Sequence, residues 1–202
     1  YDLKKRKKLF MKNWIILGLG NPGEKFKNTR HNISWWVLDI LSNKLSGYKK
    51  YEKKEKNHIE YRFDHKNWNV YLIYPTTYVN NSGLALKYLL NNNKFSLDKA
   101  IIISDDINLS EGRLRIRRTG SSGGHNGLNS IINHIGSEDF IRLKIGVGKP
   151  RSNEDQIKYV LSKVKNKKII YKSCEKAAEA CLSIIDKGLN NSMEKYNGVK
   201  DE

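Results

Sequence analysis

The sequence predicts an α/β fold in which helices cover both faces of a mainly parallel or mixed sheet. Short apolar runs typical of strands alternate with amphipathic helical patterns from one end of the chain to the other. At 202 residues, the chain is long enough for one domain with a substantial core. No window approaches the roughly 18 apolar residues that a membrane span requires, so we expect no membrane segment.

The first predicted elements are a buried strand and an amphipathic helix. Residues 14–20 form a continuous apolar run, which is typical of a strand covered on both faces. From residue 29 the apolar residues recur at helical spacing, and this pattern ends near Gly47. The basic residues 1–10 precede this domain, and we interpret them as an extension outside the fold. The lysine-rich residues 48–57 are predicted to form a solvated connecting loop.

The middle of the chain predicts a hairpin, a helix and two further strands. Two alternating segments flank the polar residues 64–67, which is a hairpin signal, and Pro75 ends the second strand. A short apolar strand ends in Asp105-Asp106, and a later one alternates apolar residues with arginines. These predicted elements are strands at 58–63, 68–74, 100–104 and 113–117 and a helix at 82–92.

The remainder of the chain predicts a glycine-rich loop, a strand and three helices. The loop at 120–127 leads into an amphipathic helix, Ser152 could cap the next helix, and Gly188 could end the last one. The predicted strand lies at 141–147, and the three helices lie at about 128–135, 153–164 and 167–187. We assign residues 11–195 to one domain and 196–202 to a C-terminal tail.

The net charge and the cysteine content limit the possible functions of the chain. A net charge of +17 favours a polyanionic partner such as nucleic acid over the alternative that many of the lysines only solvate the surface. Cys174 and Cys181 lie two helical turns apart on one face, so we expect core thiols rather than a disulfide.

Polar side chains follow four predicted strands at the point where each strand gives way to a helix. If those strands are parallel, their carboxyl ends meet at one crevice of the sheet. A histidine there can take a proton from water, an aspartate can fix its tautomer, and asparagines can donate to an oxyanion. Such a set can hydrolyse an ester with water as the nucleophile and without a metal. The side chains are Asn21 and His31, Asn80, Asp105, and His125 and Asn126.

Each of these residues has a structural alternative. Asn21 could belong to a plain turn, Asp105 could cap a helix, and His125 could be merely exposed in its loop. Residues 18–23 also match the Gly-x-Gly-x-x-Gly dinucleotide fingerprint, but Pro22 lies inside the turn and the helix begins too late to hold a pyrophosphate. Three further histidines are interpreted as ordinary surface residues, namely His58, His65 and His134.

Six segments in unbroken order resemble the bacterial-type peptidyl-tRNA hydrolase family over about residues 12–190. The resemblance implies a monomer with a three-layer αβα fold and a mixed, mostly parallel, twisted central sheet. It also implies a cytoplasmic enzyme that needs no cofactor or metal and cleaves the ester between a peptide and the 3′ end of tRNA. The segments are Gly-Leu-Gly-Asn-Pro-Gly (18–23), Asn-Thr-Arg-His-Asn (28–32), Pro-Thr-Thr-Tyr-Val-Asn-Asn-Ser-Gly (75–83), Ser-Asp-Asp (104–106), Gly-Gly-His-Asn-Gly-Leu (123–128) and Arg-Leu-Lys-Ile-Gly-Val-Gly (142–148).

The resemblance also implies a role for individual residues. His31 matches the general base and Asp105 the carboxylate that orients it. Arg117 and Lys144 are the nearest matches to two basic residues that hold the tRNA 5′-phosphate, and residues 149–156 match a mobile lid. Four residues match substrate-binding positions, namely Asn21, Phe26, Asn80 and Asn126. Phe26 stands where the family usually has Tyr.

A different class of function remains open beside the hydrolase. Some chloroplast relatives of this fold act in group II intron splicing, so the chain could be an idle relative that serves as an RNA-processing or splicing partner. Such a chain could lose His31 or Asp105, whereas this sequence retains both. A dinucleotide enzyme would need a ribose-binding acid after the next strand, and no convincing candidate is present.

Overall fold

The computed structural model describes residues 12–92, 95–151 and 155–197. Within these ranges, seven strands form one mixed sheet in the order β2-β3-β4-β1-β5-β7-β6. The strands are β1 (Lys12–Gly18), β2 (Lys50–Lys54), β3 (His58–His65), β4 (Trp68–Pro75), β5 (Ala100–Asp106), β6 (Leu114–Arg117) and β7 (Ile141–Gly146). The helices are α1 (Ile33–Lys44), α2 (Gly83–Leu90), α3 (Asn126–Ile135), α4 (Gln156–Leu161), α5 (Lys167–Lys187) and α6 (Leu189–Asn197).

The centre of the sheet is parallel and its two sides are antiparallel. Strand β1 pairs in parallel with β4 and with β5, and β5 pairs in parallel with β7. Strands β3 and β6 run in the opposite direction beside β4 and β7. Because the four central strands share one direction, their carboxyl ends lie at the same edge of the sheet.

Helices cover both faces, which confirms the predicted three-layer α/β fold. Alternate residues of β1 belong to two separate apolar clusters, since successive side chains on a strand point to opposite faces. Ile16 packs in the cluster that contains residues of α1 and α5, whereas Ile15 and Leu17 pack in the cluster of α2 and α3. None of the helices within the described ranges combines the length and the apolar surface that a bilayer crossing requires.

The two cysteines lie in the core, as predicted. Both are free thiols on α5, and both are buried in the apolar cluster beneath it. Burial raises the pKa of Cys174 to about 12, and burial also raises the pKa of Cys181. The thiols therefore remain protonated and act as small apolar side chains.

Two elements differ from the sequence-based prediction. The predicted loop at 48–57 contains β2, an edge strand that pairs with β3 and exposes all five of its residues. Charged side chains on an edge strand hide the alternation that a half-buried strand shows. Helix α6 was not predicted, although Leu189, Met193 and Tyr196 recur at helical spacing and pack, partly buried, against the core.

The prediction that His58 and His65 are surface residues is wrong. His58 is fully buried, and its Nδ1 lies 2.9 Å from Asn57 Oδ1. His65 is buried against Tyr48, with the ring centroids 4.6 Å apart, and burial lowers its pKa. His134 is half-buried on α3. The two histidines are seven positions apart and therefore lie on opposite faces of β3, and both positions are buried.

A glycine at the start of α2 permits close packing of α2 on α3. The Gly83 N–H donates to Ser130 Oγ over 3.0 Å. A Cβ at this position would overlap the Ser130 carbonyl oxygen and lie 2.7 Å from His134 Nδ1. The contact therefore requires the absence of a side chain.

We expect Gly83→Ala to lower the free energy of unfolding by about 1–3 kcal/mol, because the two helices must move apart. Urea unfolding followed by circular dichroism measures the change. Gly47→Ala is the matched control, since a Cβ there meets nothing within 4 Å. Equal stability of the two variants would contradict the packing argument.

Candidate active site

The four predicted junctions meet in one cavity at the carboxyl edge of the parallel strands. The cavity has a volume of about 190 Å³ and is lined from one side by the β1 and β5 ends and from the other by the start of α3. One premise was wrong: the fourth junction follows β6, which is antiparallel to β7, so residues 118–125 must carry the chain back to the cavity edge. The lining includes Asn21, His31, Val79, Asp105, His125 and Asn126.

His31 and Asp105 form a buried pair at the floor of the cavity. Asp105 lies near the end of β5, and His31 lies in a short 3-10 turn, Arg30–Asn32, immediately before α1. The His31 Nδ1 atom lies 2.8 Å from Asp105 Oδ1, and the two residues are 6% and 4% exposed. The neighbouring Asp106 instead pairs with Lys144, so Asp105 is the carboxylate that contacts the histidine.

Each member of this pair stabilises the charged form of the other. Burial lowers the pKa of His31, but the charge and the hydrogen bond of Asp105 raise it by more, so the net shift is upward. Burial likewise raises the pKa of Asp105, yet the interactions with His31 and His125 outweigh it and hold that pKa well below its ordinary value. Asp105 is therefore an ionised carboxylate near neutral pH.

A second histidine contacts the same carboxylate oxygen. His125 Nε2 lies 3.0 Å from Asp105 Oδ1, and its Nδ1 accepts the backbone N–H groups of Gly127 and Leu128 at the start of α3. An Nδ1 that accepts cannot carry a proton, so the hydrogen-bond network assigns the His125 proton to Nε2. The alternative of a merely exposed His125 is wrong, and its place one residue before a helix was the sequence signal for its capping of α3.

Asp105 therefore receives two imidazole N–H groups on one oxygen. In neutral His31, a proton on Nδ1 donates to Asp105 and leaves a lone pair on Nε2. That lone pair is the proton acceptor that general-base chemistry needs. The His31 and His125 rings lie side by side, with centroids 5.0 Å apart.

Asn21 is held by its neighbours at the end of β1. Its Oδ1 accepts the Val79 N–H over 2.8 Å, which leaves its amide NH2 as the group available to a substrate oxygen. Asn32 holds the backbone of Asn21 with two hydrogen bonds, one to the N–H (3.1 Å) and one to the carbonyl (2.8 Å). Sequence reasoning assigned no role to Asn32, although it follows His31 directly.

A close approach of α1 explains the glycines of the opening turn. A Cβ on Gly20 would lie 2.8 Å from the Trp35 indole nitrogen, and that nitrogen donates to the Gly18 carbonyl over 3.1 Å. The glycine-rich turn therefore lets α1 pack against the strand end and thereby places His31 beside Asn21. The glycines of this turn therefore serve helix packing rather than the binding of a phosphate group.

The other predicted substrate-binding residues lie at or near the cavity rim. Asn126 is exposed and lines the cavity as the first residue of α3. Asn80 is exposed one residue after Val79, which lines the cavity. Phe26 is half-buried, and its ring packs edge-on against Tyr78 with centroids 6.4 Å apart. The structure thus brings Asn21 and Asn126 to the cavity and keeps Asn80 and Phe26 at its margin.

The two predicted phosphate-binding residues lie on neighbouring strands. Arg117 is exposed at the end of β6, and Lys144 is on β7, paired across the sheet with Arg115. Lys144 lines the cavity and its Nζ lies 3.1 Å from Asp106 Oδ2. An anion at Lys144 would therefore compete with a carboxylate, whereas Arg117 lies on an open surface.

One wall of the cavity is formed by α4 and tied to the His31 segment by Arg30. The Arg30 guanidinium donates to Ser162 Oγ (2.5 Å) and to the Lys163 carbonyl (2.9 Å), and it stacks over Tyr159. The predicted lid at 149–156 overlaps this wall, and the Ser152 cap lies outside the described residues. Asp155 caps α4, since its Oδ1 accepts the Ile157 N–H over 2.8 Å.

The same residues have the composition of a metal site. The ligand atoms of His31, Asp105 and His125 lie within 4.8 Å of one another. The distances from Asp105 to the two imidazoles are ordinary hydrogen-bond lengths, and each contact is explained by a proton. A reaction without a metal or cofactor stays a prediction, and a chelator assay would test it.

Fold and site together define an α/β protein whose crevice carries a buried histidine that is hydrogen-bonded to a buried carboxylate. The family model described as "Peptidyl-tRNA hydrolase" matches residues 15–202. A peptidyl-tRNA hydrolase from Caldanaerobacter subterraneus is 44% identical over 188 residues, which cover 92% of this chain and 100% of the relative. The chain therefore belongs to the peptidyl-tRNA hydrolase family, as the sequence motifs predicted.

Solved structures agree with this assignment. The crystal structure of peptidyl-tRNA hydrolase from Acinetobacter baumannii is similar with a TM-score of 0.85 and 29% identity, covering 94% of this chain and 97% of that one. A nucleosidase from Campylobacter jejuni is similar with a TM-score of 0.55 at 10% identity, over 88% of this chain and 99% of that one. The second likeness shows the fold alone.

We expect Asp105→Asn to lower the pKa of His31, because the charge that favours the imidazolium is lost while the side-chain shape is kept. NMR titration of the His31 ring protons measures this pKa directly. Since the base must be neutral, the acid limb of the pH–rate profile should move to lower pH in the variant. A His31 pKa that stays constant or rises would contradict the proposed coupling.

Proposed function

We propose that this chain hydrolyses the ester bond between the peptide and the tRNA of peptidyl-tRNA, with His31 as general base. The observation that carries the proposal is the buried His31–Asp105 hydrogen bond of 2.8 Å at the floor of a cavity. Membership of the family supplies the substrate class, and the printed names of the relatives are those of peptidyl-tRNA hydrolases.

The reaction begins with proton transfer from water to His31 Nε2 as the water oxygen attacks the ester carbonyl carbon. Asp105 stabilises the imidazolium that forms, and His125 keeps Asp105 ionised by donating to the same oxygen. The amide groups of Asn21 and Asn126 donate to the oxyanion. The tetrahedral intermediate then expels the ribose oxygen of the tRNA, and the imidazolium returns its proton to that oxygen.

Recognition of the tRNA rests on charge. The chain carries a net charge of +17, and phosphate contacts supply most of the affinity in such complexes. Arg117 and Lys144 are proposed to hold the 5′-phosphate, while Asn80 and Phe26 contact the substrate at the cavity rim. Action as a monomer in the cytoplasm without a cofactor, and closure of the 149–156 lid, are part of the same proposal.

We expect His31→Ala to reduce turnover by roughly 10²-fold or more, because the general base is lost. Rates of peptide release measure the effect, and thermal unfolding checks that the variant folds. His134→Gln is the matched control, since His134 is a half-buried histidine on α3 away from the cavity. Near-normal turnover in His31→Ala would remove His31 from the role of base.

We expect the enzyme to cleave an N-acetyl-aminoacyl-tRNA much faster than the free aminoacyl-tRNA, because the family prefers an N-blocked substrate. Release of the labelled amino acid from the two substrates in parallel measures this preference. Equal cleavage would point to a general esterase. Binding of both substrates without cleavage of either would favour the RNA-processing partner.

A further inference from the structure

A second basic surface lies on the α1–α5 face, outside the cavity. Six lysines and no acidic residue occur between Gln156 and Cys174. Within the described ranges, none of the exposed lysines of this stretch that flank or begin α5 forms an ion pair. These residues are Lys163, Lys165, Lys167, Lys168 and Lys172.

Part of this surface is a groove that combines lysines with aromatic rings. The groove has a volume of about 710 Å³. It is lined by Asn28, Trp36, Lys167, Lys168, Tyr171 and Lys172, and Glu175 is the acidic residue on its rim. We name it the lysine groove.

The aromatic rings of the lysine groove are presented to solvent. Tyr171 is 50% exposed. The Trp36 indole N–H donates to the Lys27 carbonyl over 2.8 Å, which fixes the orientation of its ring. Lysines beside exposed aromatic rings are the combination by which proteins hold single-stranded nucleic acid, through phosphate contacts and base stacking.

Two lysines at the start of α5 do not stabilise that helix. Lys167 and Lys168 occupy the first turn of the 21-residue α5, and that turn contains no acidic residue. Cations at the amino end of a helix oppose its macrodipole and therefore destabilise it. Their charge instead adds to the positive potential of the groove.

Two chain segments connect the lysine groove and its surroundings to the active-site cavity. Asn28 lines the groove three residues before His31, a separation of at most about 10 Å along the chain. On the second segment, Leu161 lines the cavity two residues before Lys163, which belongs to the basic surface around the groove. The two segments are joined by Val164 N–H to the Asn28 carbonyl (2.9 Å) and by Arg30 to the Lys163 carbonyl (2.9 Å).

We propose that the lysine groove binds single-stranded RNA, with phosphates on Lys167, Lys168 and Lys172 and a base stacked on Tyr171. The identity of this RNA rests on the function proposed above. If the chain hydrolyses peptidyl-tRNA, the RNA in the groove is the unpaired 3′ end of the substrate tRNA. The groove is separate from the predicted Arg117 and Lys144 site, because Ile116 packs toward the α1–α5 core and Arg117 alternates to the opposite face of the sheet.

The test measures binding of a fluorescein-labelled six-nucleotide oligocytidylate RNA to the full chain over a series of salt concentrations. The triple variant Lys167→Gln, Lys168→Gln, Lys172→Gln should bind at least tenfold more weakly. It should also lose roughly 2 from the slope of log K against log salt, since each lost phosphate contact removes about 0.7. The matched control is Lys50→Gln, Lys54→Gln, Lys56→Gln, which removes the same charge from the exposed lysine-rich segment around β2.

Stacking is tested separately at Tyr171. Tyr171→Ala should weaken oligonucleotide binding about tenfold at unchanged salt slope, and Tyr171→Phe should restore it, because the ring alone is needed. A triple variant whose slope and affinity equal those of the control overturns the phosphate contacts. Equal binding by Tyr171→Ala and wild type overturns the stacking.

Failure of this proposal can be told apart from failure of the proposed function. Cleavage of N-acetyl-aminoacyl-tRNA by the wild type, together with control-like oligonucleotide binding by the triple variant, overturns the lysine groove alone. Loss of oligonucleotide binding in the triple variant supports the groove even if the wild type cleaves no peptidyl-tRNA, in which case only the identity of the RNA falls.

Discussion

The candidate site depends on one buried carboxylate that must remain ionised. Asp105 is 4% exposed, and a charge in that position is costly unless donors surround it. Two imidazoles supply those donors on a single oxygen, one from the turn before α1 and one from the loop before α3. The elements that pack on opposite faces of the sheet are therefore brought together at its edge by the need to satisfy this one group.

Most of the fold could be predicted from the sequence because the central strands are buried on both faces. The apolar runs of β1, β5 and β7 and the amphipathic pattern of α5 each report directly on burial. The edge strand β2 was not predicted because all five of its residues are exposed, and the short α6 shows only three apolar residues at helical spacing. The burial of His58 and His65 was not predicted because histidine is a polar residue type that is often exposed.

The contact between His31 and Asp105 could be predicted from the sequence, but the contacts that hold this pair and Asn21 in place could not. The order of the motifs identified His31, Asp105 and Asn21. Their places after parallel strands predicted that they lie close together. The two contacts that orient the site, His125 to Asp105 and Asn32 to the backbone of Asn21, join residues 20 and 11 positions apart. Each follows from how a side chain turns within a loop, which no spacing rule encodes. Likewise, the similarity of this fold to a nucleosidase shows that the architecture alone does not decide the chemistry.

The double use of His125 has a consequence for local unfolding. Its Nδ1 accepts the first N–H groups of α3 while its Nε2 donates to Asp105, so one ring connects the end of a helix to the base of the cavity. Fraying of the first helical turn and loss of the second donor to Asp105 are then a single cooperative event. Amide hydrogen exchange at Gly127 and Leu128 therefore reports on how often the site disassembles in the native ensemble.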